Sequence, residues 1–483
     1  MVDNKIKKLV LLIFFVSGFV TFALEIVWFR MLSLFIPTTA YAFSVMLVAV
    51  LLGIASGSFV AGWLIRHKIN IIVWLAVGEI AIAIAIQISL LVLIFVYPAV
   101  QKLHYGNNLP AMIVMSFVAI FPTTWIMGLI FPLGMTVWQQ QVGKFYATNV
   151  AGSILGAIVG GFWLLPRWGS QNSLTILSFI SLFSGFILLK TWRLRLTVLV
   201  LFTIIILLVP DFYGAVLRYR YPGEKLLWFK EGIQTTVSVQ ENKEGFRIMY
   251  MDGRHQAEDS PQVIEVHRQI GRLPALLRPD SKEALVIGLG GGVTSGEISR
   301  LPGVNIDIVE LSDTVVEGAR WFEHVNNRVL DQPNVHLIVD DGRNYLLRNR
   351  KRYDIITADI IQPNHAGAGN LYSKEYFELV KKSLKPDGIM VQWIGKRAVT
   401  QYKSIIRTFL EVFPNATLWA DGIIMVGSKD PISDAPVTAE EMRKFVGPGP
   451  VLTDNRPFVE YYFLSLPRNE AETVLLPSPL IIK

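Results

Sequence analysis

Four binding-type motifs follow successive apolar, strand-like runs in the second half of this 483-residue chain. A glycine-rich turn, Gly288-Leu289-Gly290-Gly291-Gly292, follows the first run, and glycines let a backbone approach a nucleotide closely. Glu310 ends the second run roughly twenty residues later, where an acid typically binds ribose hydroxyls. Asp341 and Asp359 follow the third and fourth runs. This succession predicts a site for a nucleotide-like ligand.

The elements that must position these residues are read from the same stretch. The runs alternate with helix-like segments, which is the pattern of a doubly wound α/β sheet. Ligands bind such sheets beyond the carboxyl ends of the strands, where all four motifs would lie. We therefore predict a Rossmann-like domain of the class I methyltransferase type over residues 281–483, preceded by a small β unit over 211–280. A nicotinamide-binding domain also uses a glycine turn and an acid, but hydride transfer needs neither Asp341 nor Asp359.

Residues 1–210 are predicted to form a transmembrane helical domain. A helix needs about 20 apolar residues to cross a bilayer, and about seven runs approach that length. They lie near 9–29, 41–65, 71–97, 111–138, 147–165, 172–190 and 194–210. Gly152, Gly156 and Gly160 recur at four-residue spacing, which predicts close approach of a neighbouring helix. Glu25 is a candidate substrate or ion site, because a mid-bilayer charge costs roughly 2.5–3.5 kcal/mol on insertion scales. Glu79 is a weaker candidate, since it is placed near the end of its run.

Composition excludes several classes of protein. The chain has no cysteine, which excludes disulfides, thiolate zinc sites, iron–sulfur clusters and cysteine nucleophiles. Residues 1–209 carry twelve Lys and Arg against three acids, so the basic excess belongs to the helical half. The soluble half therefore lacks the basic face of a nucleic-acid-binding protein, and no nucleic-acid partner is predicted.

The motifs resemble those of the spermidine synthase group of aminopropyltransferases, and most closely its membrane-fused branch. The similarity extends over most of the chain and rests on Ser17-Gly18, Glu25 to Arg30, Tyr146 to Asn149, Asp341 to Leu346, Gly367 to Leu371, Glu375 to Phe377, Gln392-Trp393 and Thr453 to Pro457. The resemblance implies a transferase that takes decarboxylated S-adenosylmethionine, or S-adenosylmethionine, as donor and needs no metal.

The resemblance also implies roles for individual residues. The donor-binding set would comprise the adenosyl contacts Gln256 and His267, the tail-lining Gly288, Gly290 and Gly292, the ribose acid Glu310, and the adenine-reading Asp341 with Gly342. Asp359 would be the catalytic acid residue of the family's Asp-x-x-Asp-Pro motif. Gln362, Tyr372, Glu25 and Asn149 are candidates for contact with the substrate that accepts the transferred group.

The chain departs from soluble synthases at residues that hold the diamine or the reactive tail. Its glycine-rich motif lacks their Asp, Gln362 replaces their second motif Asp, and Val266-His267-Arg268 replaces their Tyr-His-Glu. The adenosyl site is therefore better supported than putrescine as a substrate. Because a water-soluble diamine needs no bilayer, we expect an amphiphilic amine acceptor or passage of product through the helices.

The chemistry of a sulfonium donor needs little from the protein. Its carbon is already activated, so a neutral amine must be aimed at it, and a carboxylate such as Asp359 can orient the amine and accept its proton. Two alternatives remain open at this point. One is an S-adenosylmethionine-dependent methyl- or aminocarboxypropyl-transferase; the other is a non-enzymatic transporter or sensor with a nucleotide-binding domain. The chain could also form a homo-oligomer.

The orientation of a membrane protein follows from which of its short loops carry Lys and Arg, because loops rich in these residues stay in the cytoplasm. Nine of these charges lie on the side of the N-terminus and three, Arg30, Lys102 and Arg167, on the other, which places the N-terminus in the cytoplasm. Seven spans would then leave the soluble domain outside, whereas an adenosyl sulfonium donor is made in the cytosol. We therefore expect a miscounted span, within 111–138 or 31–65, and a cytoplasmic soluble domain on a multi-pass protein of a prokaryotic plasma membrane.

Overall fold

The protein is described by a computed structural model that covers residues 4–35, 40–67, 69–103, 109–359, 368–395 and 399–457. The chain divides into two compact units, Met1–Pro222 and Gly223–Lys483. We describe each unit by itself.

The first unit is helical. Its helices are α1 (Asn4–Ser33), α2 (Ala40–Arg66), α3 (Ile71–Leu103), α4 (Leu109–Val137), α5 (Val142–Val159), α6 (Leu165–Leu188), α7 (Trp192–Leu208) and α8 (Phe212–Arg220). A π-helical turn, Gly160–Leu164, joins α5 to α6. Helices α1 to α7 coincide with the seven apolar runs of the sequence.

Six helical stretches in the described residues are long and apolar enough to cross a membrane, and the longest is Gln139–Leu188. Its 50 residues would extend about 75 Å at ~1.5 Å per residue, more than twice the ~30 Å of a bilayer core. The stretch is broken at Gly169, whose φ of 74° and ψ of 173° are not helical. We therefore treat it as two passes, α5 and α6, which run in opposite directions.

Contacts between helices establish these directions. Helix α5 runs parallel to α1, because successive glycines of α5 contact successive α1 backbone positions: Gly152 meets Phe15, and Gly156 meets Phe19. Helix α3 is also parallel to α1, because Glu79 faces Ser17 and, further along both helices, Trp28 Nε1 donates to Ser89 Oγ at 3.3 Å.

Helices α4, α6 and α7 are each antiparallel to a helix that they contact. Helix α4 is antiparallel to α1, since Trp138 Nε1 donates to the Lys7 carbonyl and Met127 accepts from Thr21. Helix α6 is antiparallel to α3, because Ser178 accepts from Gln87 at 2.7 Å while Gly185 packs on Ala76 and Ile80. Helix α7 is antiparallel to α6, through Phe179 with Phe202 and Gln171 with Pro210.

Helix α4 continues through Pro122 and Pro132 as one helix, and α2 is a single helix from Ala40 to Arg66. With six stretches that could cross a membrane in the described residues, the number of spans and the expected miscount stay predictions. Helices α1 to α7 alternate in direction, so the chain leaves the helical unit at the end opposite to the start of α1.

The second unit begins with a four-stranded antiparallel sheet in the order β1-β2-β3-β4. Its strands are β1 (Lys225–Glu231), β2 (Thr236–Glu241), β3 (Arg247–Met251) and β4 (Arg254–Glu258). Helix α9 (Pro261–Leu277) follows and leads to the larger sheet.

The larger sheet has seven strands in the order β10-β11-β9-β8-β5-β6-β7. The strands are β5 (Glu283–Ile287), β6 (Asn305–Glu310), β7 (Val335–Val339), β8 (Tyr353–Ala358), β9 (Leu384–Trp393), β10 (Thr417–Trp419) and β11 (Ile424–Ser428). Strands β5 to β9 are parallel, whereas β11 is antiparallel to β9 and to β10. The chain order reverses between β5 and β8. This confirms the predicted Rossmann-like α/β fold after a polytopic-type helical region.

Alternation of side chains explains why the central strand is buried on both faces. Leu285 and Ile287 of β5 point into one core cluster, and Ala284 and Val286 point into the cluster on the other face. The helices that cover these faces are α10 (Val293–Ile298), α11 (Asp313–Ala319), α12 (Gly342–Arg348), α13 (Lys374–Ser383), α14 (Val399–Val412) and α15 (Ala439–Val446). A sheet buried on both sides leaves its strand ends as the place for a ligand.

Candidate active site

The glycine-rich turn leaves β5 with three left-handed residues: φ is 88° at Gly288, 52° at Gly290 and 80° at Gly292. A side chain at Gly290 would meet no atom within 4 Å, so the requirement for glycine there is conformational and the surface beside it is open. Gly288 N–H donates to the Val309 carbonyl at 2.9 Å, which ties the turn to β6.

Glu310 at the end of β6 binds the same turn. Its carboxylate accepts from the backbone N–H of Leu289 at 2.8 Å and of Ser312 at 3.0 Å. Burial raises the pKa of Glu310, although these backbone N–H groups favour its charged form. Glu310 therefore holds the glycine turn against the end of β6. It also lies at the position where an acid that binds ribose is expected.

The carboxylate of Asp359, directly after β8, is held by two elements. Its Oδ2 accepts from Thr294 Oγ1 of α10 at 2.7 Å and lies 2.7 Å from His267 Nδ1 of α9. Thr294 Oγ1 is also 3.2 Å from the carbonyl of His267, so the three residues form one cluster. The other oxygen, Oδ1, is buried and has no hydrogen-bond partner in the part of the chain that the structure describes.

The pKa values of the pair move in opposite directions. Burial disfavours the charged form of each group, but their mutual attraction prevails. The pKa of His267 is raised because Asp359 stabilises its imidazolium, and the pKa of Asp359 is lowered by His267 and by the Thr294 hydroxyl. Asp359 is therefore ionised at neutral pH, with one oxygen committed and one free to receive a proton.

One cleft brings together five of the residues expected at the site. Its lining comprises the expected Gln256, His267, Gly290, Gly292 and Asp359, together with Ala257, Glu258, Leu289, Gly291, Val293 and Phe322. The charged and polar groups gather on one side, from β4, α9 and β8, and the glycine turn forms another side. This arrangement fits a cationic sulfonium donor, because two acids, Glu258 and Asp359, face the same small space.

The other expected donor residues lie nearby with structural contacts of their own. Asp341 caps α12, its Oδ1 accepting from Asn344 N–H at 2.8 Å. Gly342 packs on β5, since a Cβ there would lie 2.5 Å from Ile287 Cγ2. Both therefore have an architectural function, and their contact with adenine stays a prediction.

The expected acceptor residues belong to both units, and each described one has contacts or exposure of its own. Tyr372 is fully buried and donates to the Trp393 carbonyl at 3.3 Å, and Gln362 lies outside the described residues. In the helical unit, Asn149 Nδ2 donates to the Phe14 carbonyl at 2.8 Å and so joins α5 to α1. Glu25 is partly exposed on α1.

The sequence reasoning did not identify Thr294, Glu258 or Phe322 as site residues. Thr294 follows the glycine turn by two positions, so the signal was a hydroxyl in the first turn of the next helix. Phe322 is 1% exposed and reaches the cleft from a segment after α11, which has no local pattern that indicates a ligand site.

Comparisons with known proteins point to one family. Residues 264–420 match the spermine/spermidine synthase domain. The polyamine aminopropyltransferase of Alkaliphilus oremlandii is 33% identical over 36% of this chain, which covers 61% of the relative's length. Polyamine aminopropyltransferase 2 of Aquifex aeolicus is 21% identical over 77% of this chain and 80% of its own length. A crystal structure of spermidine synthase from Thermotoga maritima matches at 22% identity and a TM-score of 0.38, over 51% of this chain and 86% of that one.

The Aquifex match includes more residues than the second unit contains, so it extends into the helical unit. The matched domain includes the glycine turn, Glu310, Asp341 and Asp359 and begins three residues before His267. Residues 264–420 of this chain therefore match a spermine/spermidine synthase domain, and the helical region that precedes them is compatible with a membrane-fused branch of such proteins.

Proposed function

We propose that this protein is a membrane-bound aminopropyltransferase that moves an aminopropyl group from decarboxylated S-adenosylmethionine to an amine acceptor. The observation that carries the proposal is the Asp359 carboxylate, buried beside the glycine turn with Oδ2 held by His267 and Thr294 and with Oδ1 unpartnered. The synthase-domain match and the names of its relatives support the same reaction class.

The donor would bind along the strand ends. The glycine turn gives close backbone approach, Glu310 is placed for the ribose, and Asp341 for the adenine amino group. Gln256 and His267 would contact the donor from the β4 and α9 side of the cleft. Glu258 and Asp359 each lie 2.7 Å from a histidine, His255 and His267, and their carboxylates would favour a cationic sulfonium over a neutral nucleoside when those histidines are neutral.

The reaction step balances without a metal or a nucleophilic residue. The lone pair of a neutral amine attacks the methylene carbon next to sulfur, a C–N bond forms, and the C–S bond breaks. Its electron pair stays on sulfur, which leaves as a neutral thioether. The new ammonium then releases one proton, and Asp359 Oδ1 receives it. Free alkylamines have a pKa near ~10.4, so a carboxylate that orients the neutral form contributes to the rate.

The acceptor is proposed to be an amphiphilic amine. Soluble synthases use extra acids to hold a diamine, and this chain has Gln362 and Arg268 at two of those motif positions. The Arg268 guanidinium lies 3.5 Å from the Glu297 carboxylate. A cation at this position cannot hold an amine as the acid of the soluble synthases does. The helical unit provides an apolar setting for the rest of such a molecule. The protein is proposed to be a multi-pass plasma-membrane protein with its second unit in the cytosol, where the donor is made.

The first experiment is calorimetric titration of the purified full chain with decarboxylated and intact S-adenosylmethionine. We expect tighter binding of the decarboxylated donor and its loss in Glu310→Ala. Asp340→Asn is the matched control, because Asp340 precedes the site acid Asp341 but pairs with Arg348 on the surface. Preference for the intact donor would point to methyl or aminocarboxypropyl transfer, and binding of neither would overturn the transferase assignment.

A second experiment tests the acceptor. The full chain in lipid nanodiscs would be assayed with putrescine and with primary alkylamines of increasing chain length at equal concentration. The proposal expects kcat/KM to rise with chain length. Equal or higher kcat/KM for putrescine would overturn the amphiphilic acceptor without affecting aminopropyl transfer.

A further inference from the structure

The helical unit contains a buried acid that the transfer chemistry does not use. Glu79 is 1% exposed and lies inside the apolar stretch Ile71–Val96 of α3. Eight residues separate it from Ile71, which places it about 12 Å along the helix at ~1.5 Å per residue. Glu79 is therefore well inside the pass and is no end-of-helix acid, contrary to the expectation from sequence.

The surroundings of Glu79 are polar but uncharged. Ser17 of α1 and Ser181 of α6 face its carboxylate from the two helices that flank α3. Two atoms of this cluster, Glu79 Oε1 and Ser181 Oγ, are buried without a hydrogen-bond partner among the described residues. A buried carboxyl and a buried hydroxyl that face each other with unused hydrogen-bonding capacity indicate a missing proton or cation rather than a completed structural contact.

No cation of the packed helices balances this carboxylate in the described residues. The charged residues of the surrounding helices are Lys5, Lys7, Lys8, Glu25 and Arg30 of α1, Arg66 of α2, Arg167 of α6, Arg193 and Arg195 of α7, and Arg218 and Arg220 of α8. Helix α4 has no ionisable residue. None of these groups acts on the Glu79 carboxylate, whose interactions are with Ser17 and Ser181.

Close packing limits what can occupy the position. A Cβ at Gly78 would lie 2.1 Å from Ile130 Cγ2, and one at Gly185 would lie 2.7 Å from Ile80 Cγ1. The helices are thus in van der Waals contact at the residues on either side of Glu79, which favours a small occupant over an amine or a hydrated ion. A proton is the cation that fits, because it requires no cavity and satisfies both orphan atoms when the carboxyl donates to Ser181 Oγ.

A line of buried polar pairs continues from Glu79 along α3. Gln87 donates to Ser178 of α6 at 2.7 Å, and Ser89 accepts from Trp28 of α1 at 3.3 Å. From residue 79 to residue 89 this line extends about 15 Å, half of the ~30 Å hydrocarbon thickness. Neutral pairs of this kind join transmembrane helices, whereas an ionisable side chain inside the bundle, such as Glu79, is by default a candidate for a proton or ion pathway. We propose that Glu79, with Ser17 and Ser181, is a proton-exchange site of the helical unit.

The test is infrared difference spectroscopy on the full chain in lipid nanodiscs at neutral pH, in water and in deuterated water. We expect an isotope-sensitive carbonyl band of a protonated carboxylic acid that is lost in Glu79→Gln and kept in Glu25→Gln. The control is matched because Glu25 is also a membrane-helix acid but is partly exposed on α1. Glutamine keeps the size of the side chain and its contacts with the serines, so the variant should fold.

A second variant tests the assignment of the band to Glu79 even if Glu79→Gln does not fold. Ser181→Ala removes the acceptor of the proposed carboxyl hydrogen bond, so the band should persist and shift to higher frequency. Absence of a protonated-carboxyl band in the wild type, or a band that Glu79→Gln leaves unchanged, would overturn the proposal. Disappearance of the band on adding Na⁺ would overturn it as well, because the resident cation would then be a metal ion. The proposal does not depend on the transferase activity, which Glu79→Gln should leave intact in detergent.

Discussion

At the scale of single residues, the two oxygens of Asp359 have different functions. Oδ2 is committed to His267 and Thr294, so only Oδ1 can meet an incoming amine. We expect Asp359→Asn to lower kcat by about 10²–10⁴-fold, the usual contribution of a positioned acid–base group, with a smaller effect on donor affinity.

The control for this variant is on the same strand. Asp354→Asn lies near the start of β8, where its carboxylate accepts from the Lys282 backbone and the Lys385 side chain. Turnover per folded molecule should stay within a few-fold of wild type there. A kcat for Asp359→Asn that equals the Asp354→Asn value would contradict a catalytic function of Asp359.

The contact between His267 and Asp359 predicts a pH dependence with a definite sign. The pKa of His267 is raised above its ordinary 6.5, so its imidazolium persists to higher pH and compensates the charge of Asp359. When pH rises through that pKa, Asp359 becomes a better proton acceptor, and kcat/KM should increase. In His267→Gln this limb should vanish, which leaves only the rise due to deprotonation of the amine near ~10.4.

Stability should respond in the opposite direction. A raised pKa in the folded state stabilises the fold fully below the unfolded value and loses that contribution as pH rises through the folded value. The melting temperature of wild type should therefore fall over the pH range in which activity rises, and His267→Gln should flatten both curves. A variant with an unchanged pH–rate profile would show that His267 has no influence on the proton acceptor.

At the scale of elements, the packing of α5 on α1 is the most stringent contact of the helical unit. A Cβ at Gly156 would lie 2.1 Å from the Phe19 carbonyl oxygen, so the helices would have to separate. We expect Gly156→Ala to destabilise the protein by about 1–3 kcal/mol, the usual cost of overpacking, and to lower the melting temperature in detergent. Gly62→Ala on α2 is the control, because its Cβ would meet nothing within 4 Å. Equal melting temperatures of the two variants would contradict the close approach of α5 to α1.

The elements also show how far sequence reasoning extends in this protein. Strands β5 to β8 each end at a glycine-rich turn or an acid of the type that binds a ligand. The apolar runs and these end residues both indicated parallel strands, so the larger sheet was predictable. Strand β4 reads Arg-His-Gln-Ala-Glu and has no apolar alternation, so its existence follows only from pairing with β3. Strands β10 and β11 likewise have no motif at their ends. The sequence had no signal for antiparallel pairing on β9.

Contacts over long sequence separations were beyond sequence reasoning. His267 and Asp359 are 92 residues apart, and the resemblance placed both at the donor without indicating that they bind each other. The break at Gly169 is of the other kind, since Arg167, Gln171 and Asn172 interrupt the apolar pattern and separated two runs in the sequence. The parallel register of α5 on α1 and the antiparallel register of α6 on α3 agree with that separation.

At the scale of the whole molecule, two physical constraints on topology oppose each other. Seven passes put the two ends of the helical unit on opposite faces. Nine loop charges on the N-terminal face against three on the other favour an N-terminus in the cytoplasm, and this would place the second unit outside. A donor made in the cytosol requires the reverse orientation. Arg218, Arg220 and Lys225 follow the last pass and reduce the bias, and charges near the C-terminal end of a helical region can reverse an orientation.

The absence of cysteine from the chain makes this question directly testable. Single cysteines would be introduced at Lys190 in the α6–α7 loop, at Arg167 beside the break at Gly169, and at Glu244 in the β2–β3 turn, all three exposed. We expect a membrane-impermeant maleimide added to intact cells to label Lys190→Cys and to leave Arg167→Cys and Glu244→Cys unlabelled until the cells are opened. Opposite behaviour of Lys190→Cys and Arg167→Cys would itself support the return of the chain at Gly169. Labelling of Glu244→Cys from outside would place the second unit beyond the membrane, and an aminopropyl donor would then have to be exported before this protein could use it.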